Sequence, residues 1–173
     1  HDYDIMVMRG QALTKYRFVF PQSISLDSSV YEDTSMMKDP RMTMSYDNHH
    51  KDKIGNLYNI YLTGNLLTFV LMKGTSFSLR DCYLMNLSSG NLYNMDRITP
   101  DSLNAYLPIN STSVSAADED YIYNKISAHR LFQAKQDNEF RHPVYSAVLQ
   151  RFFSTQSRKS NSVIVVLKPK KNL

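Results

Sequence analysis

The chain has 173 residues, 42% of them hydrophobic and 21% charged, with a formal net charge of +4. That length suits one domain with a real core and excludes two full ones, and no apolar run reaches the length of a bilayer-crossing helix. The basic residues are scattered, clustering only as Lys168, Lys170 and Lys171 around Pro169, so direct nucleic-acid binding is not expected.

With 12 Tyr, 8 Phe, no Trp and 5 Gly, aromatic side chains must fill much of the interior, which favours β structure. In chain order, "DIMVM", "KYRFVF", "RMTMSY", "NLYNIYL", "LLTFVLMK", "TSFSLRD" and "CYLMNL" read as short strands separated by turn residues. Tyr16, Phe18 and Phe20 share one face opposite Arg17. Met42, Met44 and Tyr46 repeat that alternation opposite Arg41, Thr43 and Ser45. Thr63-Gly64-Asn65 and Gly74 predict tight hairpin connections. The three Gly-Asn-Leu triplets, starting at Gly55, Gly64 and Gly90, are unequally spaced and read as turn chemistry. In "GTSFSLRDCYLMN" the alternation predicts a strand with Phe77 and Leu79 on one face, a turn around Asp81, and a second strand carrying Tyr83, Leu84 and Met85.

After residue 98 the pattern changes. Thr99-Pro100-Asp101 predicts a helix start running through about Tyr106, and "PINSTSVSAA" predicts a polar loop. A helix is expected over residues 118–136, with Asp118, Glu119 and Asp120 at its start and Ile122, Ile126 and His129 on one stripe. A second, "PVYSAVLQRFFSTQ", places Val144, Val148 and Phe152 beside Tyr145, Leu149 and Phe153. The closing "SVIVVLK" reads as a strand buried on both sides. Joining this last strand to the first gives the expected fold: an α+β domain built on an antiparallel lipocalin-like β-barrel, or a strongly curled sheet, with two to three helices. The domain would comprise a meander over about residues 3–97, a helical region over about 99–155 and a closing strand over about 162–168.

The residues carry no argument for an enzyme. There is no Gly-x-Ser-x-Gly elbow and no Gly-rich phosphate loop. His49 and His50 are neighbours in a polar turn and do not converge on a metal, and Cys82, the only cysteine, reads as an inert buried thiol. No catalytic residue, metal site or cofactor is expected. Two sequons, at Asn86 and Asn110, match a glycosylation pattern that arises easily by chance.

Three stretches, in order, resemble one family. "GTSFSLRDCYLMN" is similar to a strand pair of the ToxS-like proteins, "SLDSSVYEDTSMMKDPRMTMSY" to their strand-turn-strand opening, and "VYSAVLQRFFSTQSRKSNSVIVVL" to their last helix, turn and closing strand. The likeness covers about residues 26–87 and 142–168 and is nearest to the PsaF/VtrC-like group; Phe77 stands where Trp is expected, and residues 118–136 are unmatched.

The resemblance implies a non-enzymatic periplasmic accessory protein, held at the inner membrane by an N-terminal segment outside this chain. Such a protein would form a heterodimer with, and stabilise or activate, the periplasmic segment of a ToxR-type membrane-bound regulator (PsaE-like) that controls transcription of virulence genes. It also implies a barrel wall of Phe69, Leu71, Phe77, Leu79, Tyr83 and Met85 that could receive a bile salt or fatty acid, although the same alternation describes a filled core. An incompletely closed sheet would offer an edge for a partner strand, either "DIMVMR" or Val163, Ile164, Val165 and Val166. His129 and His142 are the candidate pH-sensing groups, the latter because it precedes Pro143 at an expected helix start. The alternative from another class is a stand-alone lipocalin-like carrier of a lipophilic ligand.

Overall fold

The computed structural model describes residues 2–9, 11–27, 29–32, 38, 41, 45–46, 49–74, 80–111 and 113–170. They fall into two compact units, His1–Tyr58 with Leu71–Arg80, and Asn59–Val70 with Asp81–Leu173.

The first unit opens with an antiparallel hairpin of β1 (Asp2–Arg9) and β2 (Ala12–Val19), which sets Tyr3 opposite Phe18 and Ile5 opposite Tyr16. Period-two alternation gives the hairpin two different faces. On one, Ile5 is buried, and Tyr3 meets Phe20 edge-on at 5.7 Å and donates its hydroxyl proton to the Gly55 carbonyl at 2.9 Å. On the other, Asp4 receives Lys15 at 2.6 Å and Arg17 at 2.8 Å, and these two cations hold its carboxyl down at about 2. Leu26, almost fully buried, donates its backbone N–H to Ile54, and a single helical turn, α1 (Ser29–Glu32), follows once the Asp27 carboxylate has accepted from the Ser29 N–H.

The strand expected at "RMTMSY" is not found: Arg41, Ser45 and Tyr46 are helical, as are His49 and His50, while Met42, Thr43 and Met44 lie outside the described residues. Tyr46 and His50 stack at 3.9 Å, the contact that a four-residue helical spacing creates.

A four-stranded sheet follows the chain order β3 (Ile54–Thr63), β4 (Leu66–Lys73), β5 (Arg80–Asn86) and β6 (Leu92–Asn94). The β3–β4 hairpin turns at Gly64-Asn65, where Gly64 takes φ 55°, a left-handed value that suits the first central place of a two-residue hairpin turn. Every residue from Leu66 to Met72 is buried, so β4 is covered on both faces. β5 runs without interruption through Asp81, where a turn was expected, and its buried positions are Cys82, Leu84 and Asn86.

In the second unit the chain continues through two short 3-10 turns, Met95–Arg97 and Ser102–Asn104. The second replaces the helix expected from Thr99, and its cap is Asp101, bonded reciprocally with Asn104. A three-stranded antiparallel sheet in the order β7 (Ala116–Ala117), β8 (Ile122–Ile126), β9 (Val163–Leu167) is then assembled. Between β8 and β9 come α2 (Ala128–Asp137), capped by Ser127, and α3 (Ala147–Thr155), capped by Ser146; each Ser hydroxyl accepts a backbone N–H three residues on. Leu107, Ile126 and Leu131 form a buried cluster, against which Tyr145, Leu149, Phe152, Phe153, Val163 and Val165 pack.

Residues 118–136 are therefore not one helix. Ile122, Asn124 and Ile126 are buried while Lys125 is exposed, a strand pattern, and the helix begins only after Ser127. Apolar residues four apart satisfy both the helical and the strand period, which is why the stripe misled.

The expected barrel is also overturned. The described strands form three separate sheets, β1-β2, β3-β4-β5-β6 and β7-β8-β9, and the first and last strands pair only with their own hairpin or sheet neighbours. Neither a closed barrel nor a strongly curled sheet exists among the described residues. β4, buried on both sides, is a covered internal strand and not the wall of a lumen. No helix among the described residues is long and apolar enough to cross a membrane.

Candidate functional site

The third sheet presents the most distinctive surface of the second unit. In the β8–β9 register, Ile122, Asn124 and Ile126 lie opposite Leu167, Val165 and Val163 on the inner face, while Tyr123 and Lys125 lie opposite Val166 and Ile164 on the outer one. Phe152, Phe153 and Leu149 of α3 cover the inner face through Val163 and Val165. Nothing covers the outer face of β9 among the described residues: Ile164 is 56% exposed and Val166 53%. The strand expected to be buried on both sides is thus half-buried on one face and exposed on the other. It is also an edge, hydrogen-bonded to β8 alone among the described residues. Unpaired backbone groups beside exposed β-branched side chains are the requirements for strand addition.

The two ends of this edge differ in their charged neighbours, and Lys168 and Lys170 follow the strand at its Leu167 end. Beside Leu167, the β7–β8 turn carries Asp118, Glu119 and Asp120. Asp118 organises that turn: Oδ1 accepts the backbone N–H groups of Asp120 at 2.9 Å and Tyr121 at 2.7 Å, and Oδ2 accepts the Tyr123 hydroxyl at 2.6 Å. These bonds, that of the Tyr123 hydroxyl foremost, lower the carboxyl's pKa, and the same contact raises that of Tyr123. Lys168 lies over the Tyr121 ring at 5.6 Å. At the other end, an open groove of about 570 Å³ adjoins Val163, lined by α3 and the loop that follows it, with Arg151 and Lys159 as its charged residues.

Of the residues singled out for a ligand-binding wall, the four described ones lie in β4 and β5. Phe69 and Leu71 are buried in β4, and Phe69 stacks on half-buried Tyr83 at 5.7 Å. Met85 is half-buried, on the side of β5 opposite Cys82, Leu84 and Asn86. Phe77 and Leu79 lie outside the described residues. Open grooves of about 570, 520 and 70 Å³ among the described residues are lined by other residues. Among the described residues no barrel encloses a lumen on which a carrier reading could rest.

His129 and His142 are both exposed. His129 points away from the stripe it was assigned to, because that stripe belongs to a strand that ends at Ile126. His142 follows a 3-10 turn with φ 50°, and α3 starts only at Ala147, so no helix N-terminus adjoins it. Val144 and Val148, expected on the packed face of this helix, are 88% and 78% exposed.

Cys82 is fully buried with Met95 Sδ 3.7 Å from its sulfur, and burial, helped by the Asp96 carboxylate, pushes the thiol up to about 11. Such a thiol is not a nucleophile. Asn86 and Asn110 are 7% and 8% exposed, so neither sequon presents its amide to a glycosylating enzyme in this fold. The residues that sequence reasoning missed are Arg151 and Lys159: each is an ordinary surface cation in the sequence, and only the packing of α3 beside the start of β9 places them in one groove.

No family model matches the chain, and no curated protein matches it. Among solved structures it is similar to a "putative exported protein" from Bacteroides fragilis, with a TM-score of 0.54 and 14% identity, over 96% of this chain and 45% of that one. The chain thus spans less than half the length of that protein. Identity this low makes the likeness one of fold alone.

Proposed function

We propose that this chain is a non-enzymatic binding domain, working outside the cytoplasm, that receives an extended segment of a partner protein along the free edge of β9. The observation that carries the reading is the edge itself: Val163–Leu167 pairs on one side only among the described residues, and Ile164 and Val166 stand exposed beside the unpaired backbone. Main-chain hydrogen bonds would supply affinity and the alternating side chains selectivity. The similarity to a protein named as exported supports a secreted or periplasmic location. The ToxS-like resemblance supplies the first partner to try, the periplasmic segment of a ToxR-type regulator, for which the chain would act as an accessory.

Hydrogen exchange with and without that segment tests the proposal. New protection of the Val163–Leu167 amides on binding is expected, and replacing Ile164 and Val166 together by Lys should weaken the complex about tenfold or more. The double variant should stay within about 0.5 kcal/mol of the parent in stability, because both side chains already face solvent. A complex that leaves the β9 amides unprotected, or the absence of any complex, would overturn it.

A further inference from the structure

The edge strand has a direction, and its Val163 end adjoins a cationic groove. Resting on the strand-addition reading above, we infer that the groove between α3 and the start of β9 receives the acidic C-terminal end of a strand added antiparallel to β9.

The groove is formed by one face of α3. Val148, Arg151, Phe152 and Thr155 are spaced so that they line the same side of the helix, and Lys159 and Val163 complete it across the loop. No carboxylate lines it. A third cation of the same loop, Arg158, is engaged elsewhere, donating to the side-chain oxygens of Gln133 and Gln136 on α2. Arg151 and Lys159 are both exposed, so the groove offers two cations beside an apolar floor of Val148 and Phe152. Lys125, opposite Ile164 in register, adds a third positive group toward this end. The Leu167 end is mixed in charge: the Asp118, Glu119 and Asp120 turn lies across β8 from it, and exposed Lys168 and Lys170 follow the strand directly.

A strand antiparallel to β9 begins beside Leu167 and ends beside Val163. Its C-terminal end therefore runs toward the cationic groove. An acidic side chain or terminal carboxylate there would accept hydrogen bonds from Arg151, for which a guanidinium is suited, while an adjacent apolar side chain would cover Val148 and Phe152. A parallel strand would bring its N-terminal end, and not a C-terminal carboxylate, to those cations. The partner is thus an extended segment with acids at its C-terminal end.

Fluorescence anisotropy with the full chain tests this, using labelled peptides of about ten residues that alternate Val and Thr. One ends in Leu-Asp-Glu, one begins with those residues, and one ends in Leu-Lys-Lys. The acid-ending peptide should bind about three- to tenfold more tightly than either of the others, as two partly exposed ion pairs allow. Arg151→Glu with Lys159→Glu should reverse the preference toward the Lys-ending peptide, and backbone N-methylation of the acid-ending peptide should abolish binding. Equal binding of all three peptides, lost on N-methylation, would overturn the groove while leaving strand addition intact. Binding that survives N-methylation, or no binding by any peptide, would overturn strand addition and the groove assignment with it.

Discussion

Asn124, fully buried in the middle of β8, donates through Nδ2 to the backbone carbonyl of Ile109 at 3.0 Å. This bond ties the loop before β7 to the sheet from within, so the side chain acts as a spacer between two backbone segments. Asn124→Ala removes the donor, leaves the Ile109 carbonyl without this partner and opens a small cavity. A loss of about 1–3 kcal/mol is expected, read from the midpoint of urea unfolding at unchanged slope. Asn124→Asp should cost more, since it buries a charge in the same place.

Gly55 has no room for a side chain. A Cβ built there would lie 2.0 Å from the Gly74 carbonyl oxygen, a backbone atom that cannot swing aside. Gly55→Ala should therefore destabilise the first unit by about 3 kcal/mol. Gly90 provides the control: it has open space around its Cβ position and a φ of +75°. Gly90→Ala should cost only about 1 kcal/mol, from the left-handed backbone alone. Thermal unfolding of the two variants side by side distinguishes steric from conformational cost.

Cys82 should report on global opening. With its thiol buried and its pKa raised to about 11, reaction with a disulfide reagent at neutral pH should be slow in the native protein and fast in denaturant. The native rate should follow the population of the open state as urea is added. Rapid labelling without denaturant would mean that the β4–β5 region opens locally.

Acid should weaken the hairpin and the β7–β8 turn. The carboxyls of Asp4 and Asp118 are both lowered in the folded chain, that of Asp4 from 3.8 to about 2. Each binds protons more readily when unfolded. Their contribution is complete above the ordinary carboxylate range, declines as pH falls through it, and is lost once the folded groups protonate, for Asp4 near 2. The melting temperature should fall on acidification over that window. Asp118→Asn and Asp4→Asn should each flatten the dependence, and salt should reduce the Asp4 effect, because its partners are exposed.

Several local features could be read directly from the residues. Gly64-Asn65 specified the β3–β4 hairpin because a left-handed first turn position needs Gly, and alternating side chains specified β1 and β2. The tendency of residues 147–155 to form a helix and of residues 163–167 to form a strand was equally visible. Segments obeying two periods at once were not resolved. Ile122 and Ile126 fit a helix and a strand equally, and the decision came from burial of Asn124 between them and from pairing with Val165. Met44 and Tyr46 suggested alternation, yet Tyr46 sits in a helix, where it stacks on His50.

The sequence by itself determined the short-range conformations, because hairpin turns, helix caps and side-chain alternation depend on residues a few positions apart. The tertiary structure alone decided that, among the described residues, the strands divide into three sheets and do not close a barrel, and that β9 is an edge with one bare face. It also decided that Arg151 and Lys159 share a groove beside that edge. Those outcomes depend on which segments far apart in the chain bury one another's apolar faces, a competition that no local pattern encodes.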